Sequence, residues 1–304
     1  MAVQQSFRGI FAIAYTPFDA QGNLLWDDFA RICDWVARSG AHGLVWPVMA
    51  SEFTVISYPE RVRGIKMAVE TVAGRVPVVV GVSDTSKSGA VALAEAAAEA
   101  GADAVIAMPP WATKFSIREL YADYYRAIAD AAQRPVFVQN AAGALGSALS
   151  AEQVVALCHE IPWVQYLKEE KPPQGHSVHD VLAIGAPEVM GVFSGSPCYW
   201  VIPEHRRGVA GIMPGSYIPD IDARIWNLLE AGEEQEARRI HNIKLVLENS
   251  MRSIPYPQAA KEVLLRRGII SQAAARNTGR VDLDDVDEAE FAYALDLVSQ
   301  FFVM

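Results

Sequence analysis

The sequence predicts an α/β protein, a (β/α)8 barrel of the TIM type with a C-terminal helical extension. Three observations lead there. Short apolar runs alternate with amphipathic segments through most of the chain. The runs are apolar throughout rather than at every second residue, the mark of a parallel sheet covered on both faces. The first loop, YTPFDAQGN, has no GxGxxG, so the rival doubly wound sheet lacks its phosphate-binding turn. At 304 residues the chain is long enough for two average domains, but a closed α/β barrel uses that length as one.

The elements follow in order. Phe11–Thr16 reads as the first strand, followed by Pro17, Gly22 and a helix from about Asp27 to Ser39. Gly43–Val48 is the second strand, and Pro59 opens a helix to about Ala73, a residue suited to a first helical turn. The β-branched run Val76–Val82 is the third strand, and Ser86 or Ser88 caps a helix ending near Gly101. Ala104–Ala107, Ser116–Ala131 and Val136–Gln139 continue as strand, helix and strand. Ser150 and Gln153 form a capping-box pattern for a helix to His159, and Val164–Lys168 is the sixth strand. A helix over Val178–Ala186, a strand at Val189–Phe193, a helix around Pro203 and a strand near Val209–Met213 complete eight units.

Residues 1–232 are thus expected to form the barrel and 233–304 a helical appendage packed on it. Within the appendage, Glu233–Glu248 carries a stripe of Ile240, Ile243, Leu245 and Leu247, and Pro257 opens a helix to Arg267. Asp285–Phe302 repeats Phe291, Leu295, Val298 and Phe302 at helical spacing. These stripes suit packing on the barrel or an oligomer contact.

Composition excludes several classes of function. Apolar residues make up 51% and charged residues 20%, ample for a large core and unlike a disordered chain. A net charge of -10 opposes binding to nucleic acid or to an anionic membrane. No run of 18 uncharged apolar residues occurs, and Glu95, Glu99 and Asp103 interrupt the alanine-rich stretch 90–107. The start, MAVQQSFRGIFAIAY, lacks a signal-peptide pattern. Cys33, Cys158 and Cys198 are too few for a disulfide scaffold and not in metal-hook spacing, so a reduced cytoplasmic setting is expected.

Chemistry in a barrel collects at the C-terminal ends of the strands. Lys168, in WVQYLKEE, ends the sixth strand, where period 2 puts Val164, Tyr166 and Lys168 on one face. At a desolvated barrel mouth a lysine amine becomes nucleophilic toward a ketone; at a solvated strand end it merely pairs with Glu169 or Glu170. Ser51 and Glu52, after the second strand, offer a hydroxyl and a carboxylate to a substrate, or tie down the loop. Gln139 and Asn140 end the fifth strand and either give a substrate directional hydrogen bonds or pin the following loop. Ser194, Gly195 and Ser196 after strand seven, and Pro214, Gly215 and Ser216 after strand eight, leave room for a ligand or simply turn the chain. Trp111, in MPPW, walls a pocket or packs under a helix. The histidines have no zinc-ligand spacing, and neither GxSxG, a P-loop nor CxxC is present. The tyrosines have no recognisable partner that would make one a proton carrier.

These residues resemble the dihydrodipicolinate synthase/N-acetylneuraminate lyase family of class I aldolases and dehydratases over nearly the whole chain. The resemblance is carried by TPFDAQGNLLWDDF (16–29), GLVWPVMASEFTVISYPER (43–61), AGADAVIAMPPW (100–111), VFVQNAAG (136–143), WVQYLKEE (163–170) and GVAGIMPGS (208–216). It implies that Lys168 attacks the C2 carbonyl of a 2-oxo acid and that the resulting iminium serves as electron sink, with no metal or organic cofactor.

Departures from the family pattern narrow the reading. Gln139 stands where the family usually has a proton-relaying tyrosine, and Val48-Met49-Ala50-Ser51-Glu52 where it usually has Gly-Thr-Thr-Gly-Glu. Ala144 and Leu145 stand where an arginine often follows. The 2-keto-3-deoxy-pentonate dehydratases of the family are similar in these respects and carry a glutamate matching Glu170. That likeness implies dehydration of a substrate such as L-2-keto-3-deoxyarabonate to 2-oxoglutarate semialdehyde. Lys168 and Glu170 are then catalytic, with Ser51, Glu52, Gln139, Asn140, Ser194, Gly195 and Gly215 at the substrate. The alternatives are a pyruvate-dependent aldolase using the same imine and, in another class, a catalytically silent regulator that binds 2-oxo acids. The resemblance also implies a homo-oligomer, a tetramer built as a dimer of dimers.

Overall fold

The computed structural model describes residues 6–111, 118–141 and 148–303. Eight parallel strands close in sequence order into a barrel: β1 (Gly9–Ile13), β2 (Gly43–Trp46), β3 (Val78–Gly81), β4 (Ala104–Ala107), β5 (Val136–Asn140), β6 (Val164–Glu169), β7 (Gly191–Ser194) and β8 (Gly211–Ile212). Gly9 and Ile10 pair with Gly211 and Ile212 to complete the ring. The helices after the strands are α1 (Trp26–Arg38), α2 (Tyr58–Val72), α3 (Lys87–Ala100), α4 (Arg118–Ala132), α5 (Ala151–Glu160), α6 (Gln174–Ile184), α7 (Val201–Arg206) and α8 (Pro219–Glu230). The extension adds α9 (Glu234–Ser250), α10 (Gln258–Arg266) and α11 (Asp285–Ser299).

Local chemistry explains these boundaries. Ser57 and Glu60 form a capping box at α2, and Ser150 and Gln153 form another at α5. Ser86, rather than Ser88, caps α3 by accepting from the Gly89 amide, and Gly101 ends that helix at φ 87. Asp27 and Asp28 lie in the first turn of α1, where the helix dipole favours negative charge. The α6 helix starts earlier than expected, at Gln174, directly after Pro173, and β1 and β8 are shorter than their apolar runs. The expected start of the fourth helix at Ser116 lies outside the described residues, as do Ala144 and Leu145. The α8 helix was not anticipated, although Pro219 in its first turn and buried Ile221, Ile225, Trp226 and Leu229 signal an amphipathic helix.

The barrel interior is packed, not hollow. Phe11, Phe137, Tyr166 and Phe193 fill it, with Phe7 beneath Phe11, Phe137 and Tyr166. Phe137 stacks on Tyr166 at 4.6 Å between ring centroids. Small residues opposite make the room. A Cβ at Gly43 would lie 2.4 Å from the Phe11 ring, and one at Gly211 would lie 2.3 Å from the Phe193 ring. A register shift between Val136 and Phe137 pairs Val136 with Val164 but Phe137 with Tyr166, skipping Gln165. Val164 therefore packs in the outer layer rather than sharing a face with Tyr166, correcting the strict period-2 expectation.

The extension grips the barrel through buried charges. Lys244 of α9 contacts Asp222 of α8 at 2.6 Å, Glu248 at 3.3 Å and the Pro197 carbonyl at 2.9 Å. Burial alone disfavours its ammonium, but the two carboxylates outweigh that and hold it charged. Lys261 of α10 donates to Glu52 at 2.5 Å and to the Ala274 carbonyl, and Arg276 clasps Glu60 of α2 through both guanidinium nitrogens. Ile240 and Leu247 of the α9 stripe, and Phe291 and Val298 of α11, are buried within this chain.

Lys244→Met should destabilise the fold by about 3–5 kcal/mol, because it leaves Asp222 and Glu248 buried without their cation. Urea unfolding measures the change, and a loss below ~1 kcal/mol contradicts a structural role for this cluster.

Candidate active site

A cavity of about 630 Å³ opens at the C-terminal end of the strands. Its wall includes Lys168 and Glu170 from the end of β6, Gly195 and Gly215 after β7 and β8, and Tyr15 after β1. The extension contributes Glu248, Arg252 and Tyr256 to the same wall, so it completes the mouth rather than only covering a helix face.

Lys168 is 1% exposed. Its Nζ lies 3.1 Å from Glu170 Oε1, and the Gln139 side-chain nitrogen donates to Glu170 Oε2 at 2.7 Å. The register explains the meeting. Gln139 is the direct partner of Lys168 across β5 and β6, while Glu170 follows two residues beyond the lysine. The Glu170 amide donates to the Asn140 carbonyl, extending the ladder one residue past the strand and fixing where its carboxylate emerges. Gln139 is fully buried, and its Oε1 has no hydrogen-bond partner among the described residues.

Gly195 makes the arrangement possible. A Cβ there would lie 2.1 Å from Glu170 Cγ, so the glycine is the notch into which the glutamate fits. Gly215 is the corresponding notch for Tyr15, whose hydroxyl would sit 2.2 Å from an added Cβ. Both glycines, expected at the substrate, line the cavity, and the space beside each holds a side chain of the same wall.

The other expected site residues are engaged elsewhere. Asn140 holds Leu149 from both sides, donating to its carbonyl at 3.1 Å and accepting from its amide at 2.7 Å, and also donates to Glu169. That is the loop-pinning alternative. Glu169 faces this outer side, where burial raises its pKa. Ser51 is buried and its hydroxyl donates to the Ala14 carbonyl at 2.7 Å. Glu52, at φ 58, binds Lys261 and the Arg276 amide, tying the second loop to the extension. Ser194 donates to Glu204 at 2.7 Å and accepts from Gln174 behind β7. None of Ser51, Glu52, Gln139, Asn140 and Ser194 lines the cavity. Trp111 packs edge-on against Phe53 at 5.6 Å.

Residues that sequence reasoning passed over also face the cavity, among them Tyr15, Tyr199, Tyr217, Arg252 and Tyr256. For Tyr15 a signal existed: Phe11, Ile13 and Tyr15 alternate in the inward parity of β1. The others come from irregular segments with no periodicity to read. Among the described residues, no group of three His, Cys, Asp or Glu side chains is placed to hold a metal ion, and no helix is long and apolar enough to cross a membrane. The three cysteines are free and buried.

Residues 6–290 match the model of the dihydrodipicolinate synthetase family. The chain belongs to that family. Membership places it among class I, lysine-imine lyases and aldolases. It is 29% identical over 272 residues to the L-2-keto-3-deoxyarabonate dehydratase of Azospirillum brasilense, covering 89% of this chain and 88% of that one. It is 27% identical over 266 residues to the 4-hydroxy-tetrahydrodipicolinate synthase of Bacillus subtilis, covering 87% and 90%. The corresponding synthase of Desulfotalea psychrophila is 28% identical over 276 residues, covering 90% and 91%. In fold, the chain superposes on the dihydrodipicolinate synthases of Rhodopseudomonas palustris and Aquifex aeolicus. Their TM-scores are 0.84 and 0.86 at 24% and 18% identity, covering 95% and 98% of this chain and 97% and 100% of theirs.

Filling the Gly195 notch tests the geometry. Gly195→Ala should push Glu170 out of reach of Lys168 and lower turnover by about 10²–10⁴-fold, the usual span for losing a placed acid–base group. Steady-state kinetics checks it. Undiminished turnover would show that the Lys168–Glu170 contact is not needed.

Proposed function

We propose that this protein is a class I lyase for a 2-keto-3-deoxy sugar acid, with Lys168 as the imine-forming nucleophile and Glu170 as its proton carrier. The observation that supports this most directly is the buried Lys168 amine 3.1 Å from Glu170 at the floor of the mouth cavity. Attack of Lys168 on the C2 carbonyl and loss of water give an iminium that draws electrons from C3. Glu170, held by Gln139, is then placed to take and return a proton beside C3. The iminium is the electron sink, so the proposed chemistry draws on no metal or organic cofactor.

The enamine has two fates. Breaking or making the C3–C4 bond is an aldolase reaction with pyruvate as the three-carbon partner, and expelling the C4 hydroxyl is a dehydration. We place the aldolase reading first, because synthases supply two of the three relatives above. The dehydration of a 2-keto-3-deoxy-pentonate to 2-oxoglutarate semialdehyde is the second reading. It is favoured by Gln139 in the place of the usual tyrosine and by the dehydratase relative. For the rest, the family likeness supports a homo-oligomer, a tetramer assembled as a dimer of dimers, and the free cysteines suit a reducing cytoplasm.

Mass spectrometry of the products from a 2-keto-3-deoxy-pentonate tests the reading. Pyruvate with a two-carbon aldehyde is expected. A five-carbon product lighter by one water puts dehydration first, and an unchanged substrate across the sugar-acid series contradicts lyase function. Lys168→Ala should abolish turnover in either case.

A further inference from the structure

The cavity contains a pair of phenols that the chemistry above leaves unused. Tyr15 enters from β1 through the notch at Gly215, and Tyr256 enters from the Pro255–Pro257 segment ahead of α10. Their rings lie 6.4 Å apart between centroids at 66°. Their surroundings differ. Tyr15 is 1% exposed, whereas Tyr256 is 60% exposed, with its ring along the open mouth. Burial drives the pKa of both phenols up, so both keep their protons. Both tyrosines line the same space as Lys168 and Glu170.

We propose that Tyr256 is a catalytic residue that carries the proton at the substrate's C4 oxygen, with Tyr15, packed beside its ring, as the positioning residue. The proposal rests on the lysine-imine reading and deepens it. In aldol formation the enamine on Lys168 attacks the aldehyde carbon. The C3–C4 bond forms, the carbonyl π pair moves to oxygen, and that oxygen takes the Tyr256 proton. Cleavage is the reverse: the Tyr256 phenolate takes the C4 hydroxyl proton while the C3–C4 electron pair passes into the iminium. In dehydration the C3–H pair expels the C4 oxygen, which leaves as water with the Tyr256 proton, and Glu170 keeps the C3 proton. Each step conserves protons and electrons without a further reagent. The phenol that strand five lacks at Gln139 is thus supplied across the mouth, from β1 and the extension.

The test compares wild type, Tyr256→Phe and Tyr15→Phe in three measurements. These are borohydride trapping of pyruvate by intact mass, exchange of the pyruvate methyl protons with deuterium by NMR, and turnover of a 2-keto-3-deoxy-pentonate. Trapping and exchange need only Lys168 and Glu170, so both should stay within about twofold of wild type in either variant, whereas kcat should fall ~10²–10³-fold in Tyr256→Phe and ~10-fold in Tyr15→Phe at little-changed KM. A Tyr256→Phe enzyme that keeps its kcat overturns the proposal. So does one that loses trapping and exchange along with kcat, which marks a structural role. Absence of an adduct in the wild type overturns the lysine-imine reading itself, and this proposal with it.

Discussion

The site depends on one short contact: a lysine amine and a glutamate carboxylate held together at the floor of a closed barrel. Such a pair is costly to place, because taking either charge out of water is unfavourable unless the partner geometry is fixed. Here the backbone fixes it. Pairing between β5 and β6 sets Gln139 beside Lys168, the ladder continues one residue to the Glu170 amide, and Gly195 leaves the notch that the glutamate occupies. The register shift at Gln165 sets the parity on which all of this rests. Without it, the strict alternation read from the sequence would carry Val164 inward.

The extension is part of the site. Its attachments at Lys244 and Lys261 lie at separate places on the barrel, the first against α8 and the segment after β7, the second against the loop after β2. Burial lowers the pKa of Lys261 while Glu52 pulls it up, so Glu52 serves as the counter-charge of an anchoring lysine. Between these anchors the chain from Glu248 to Ala259 is carried over the cavity, which brings Arg252 and Tyr256 into its wall. Arg252 packs over the Tyr199 ring at 5.5 Å, giving the rim an aromatic and cationic edge.

Much of the barrel was legible because its signals are local and repeated. Caps at Ser86 and Ser150, the proline in the first turn of α2, and uniformly apolar strands all act within a few residues of themselves. The α8 helix was overlooked because it follows closely on the short β8, although its apolar spacing is regular. The site was only half legible. Lys168 and Glu170, expected from strand position and family likeness, both reach the cavity. Ser51, Glu52, Asn140 and Ser194 lie at strand ends as expected, yet each has its polar atoms bound by backbone or by other side chains. Position along a strand does not reveal such partners when they lie far away in sequence, as Lys261 does from Glu52. Tyr256 was invisible for the same reason, sitting between two prolines with no period to place it.

The central claim is that Lys168 forms an imine with a 2-oxo acid, and reductive trapping followed by peptide mapping tests it most directly. Incubation with pyruvate and borohydride should add one reduced three-carbon adduct per chain, mapped to Lys168 in the strand WVQYLKEE. An adduct mapped instead to Lys171 or another surface lysine, or none at saturating pyruvate, would contradict the account.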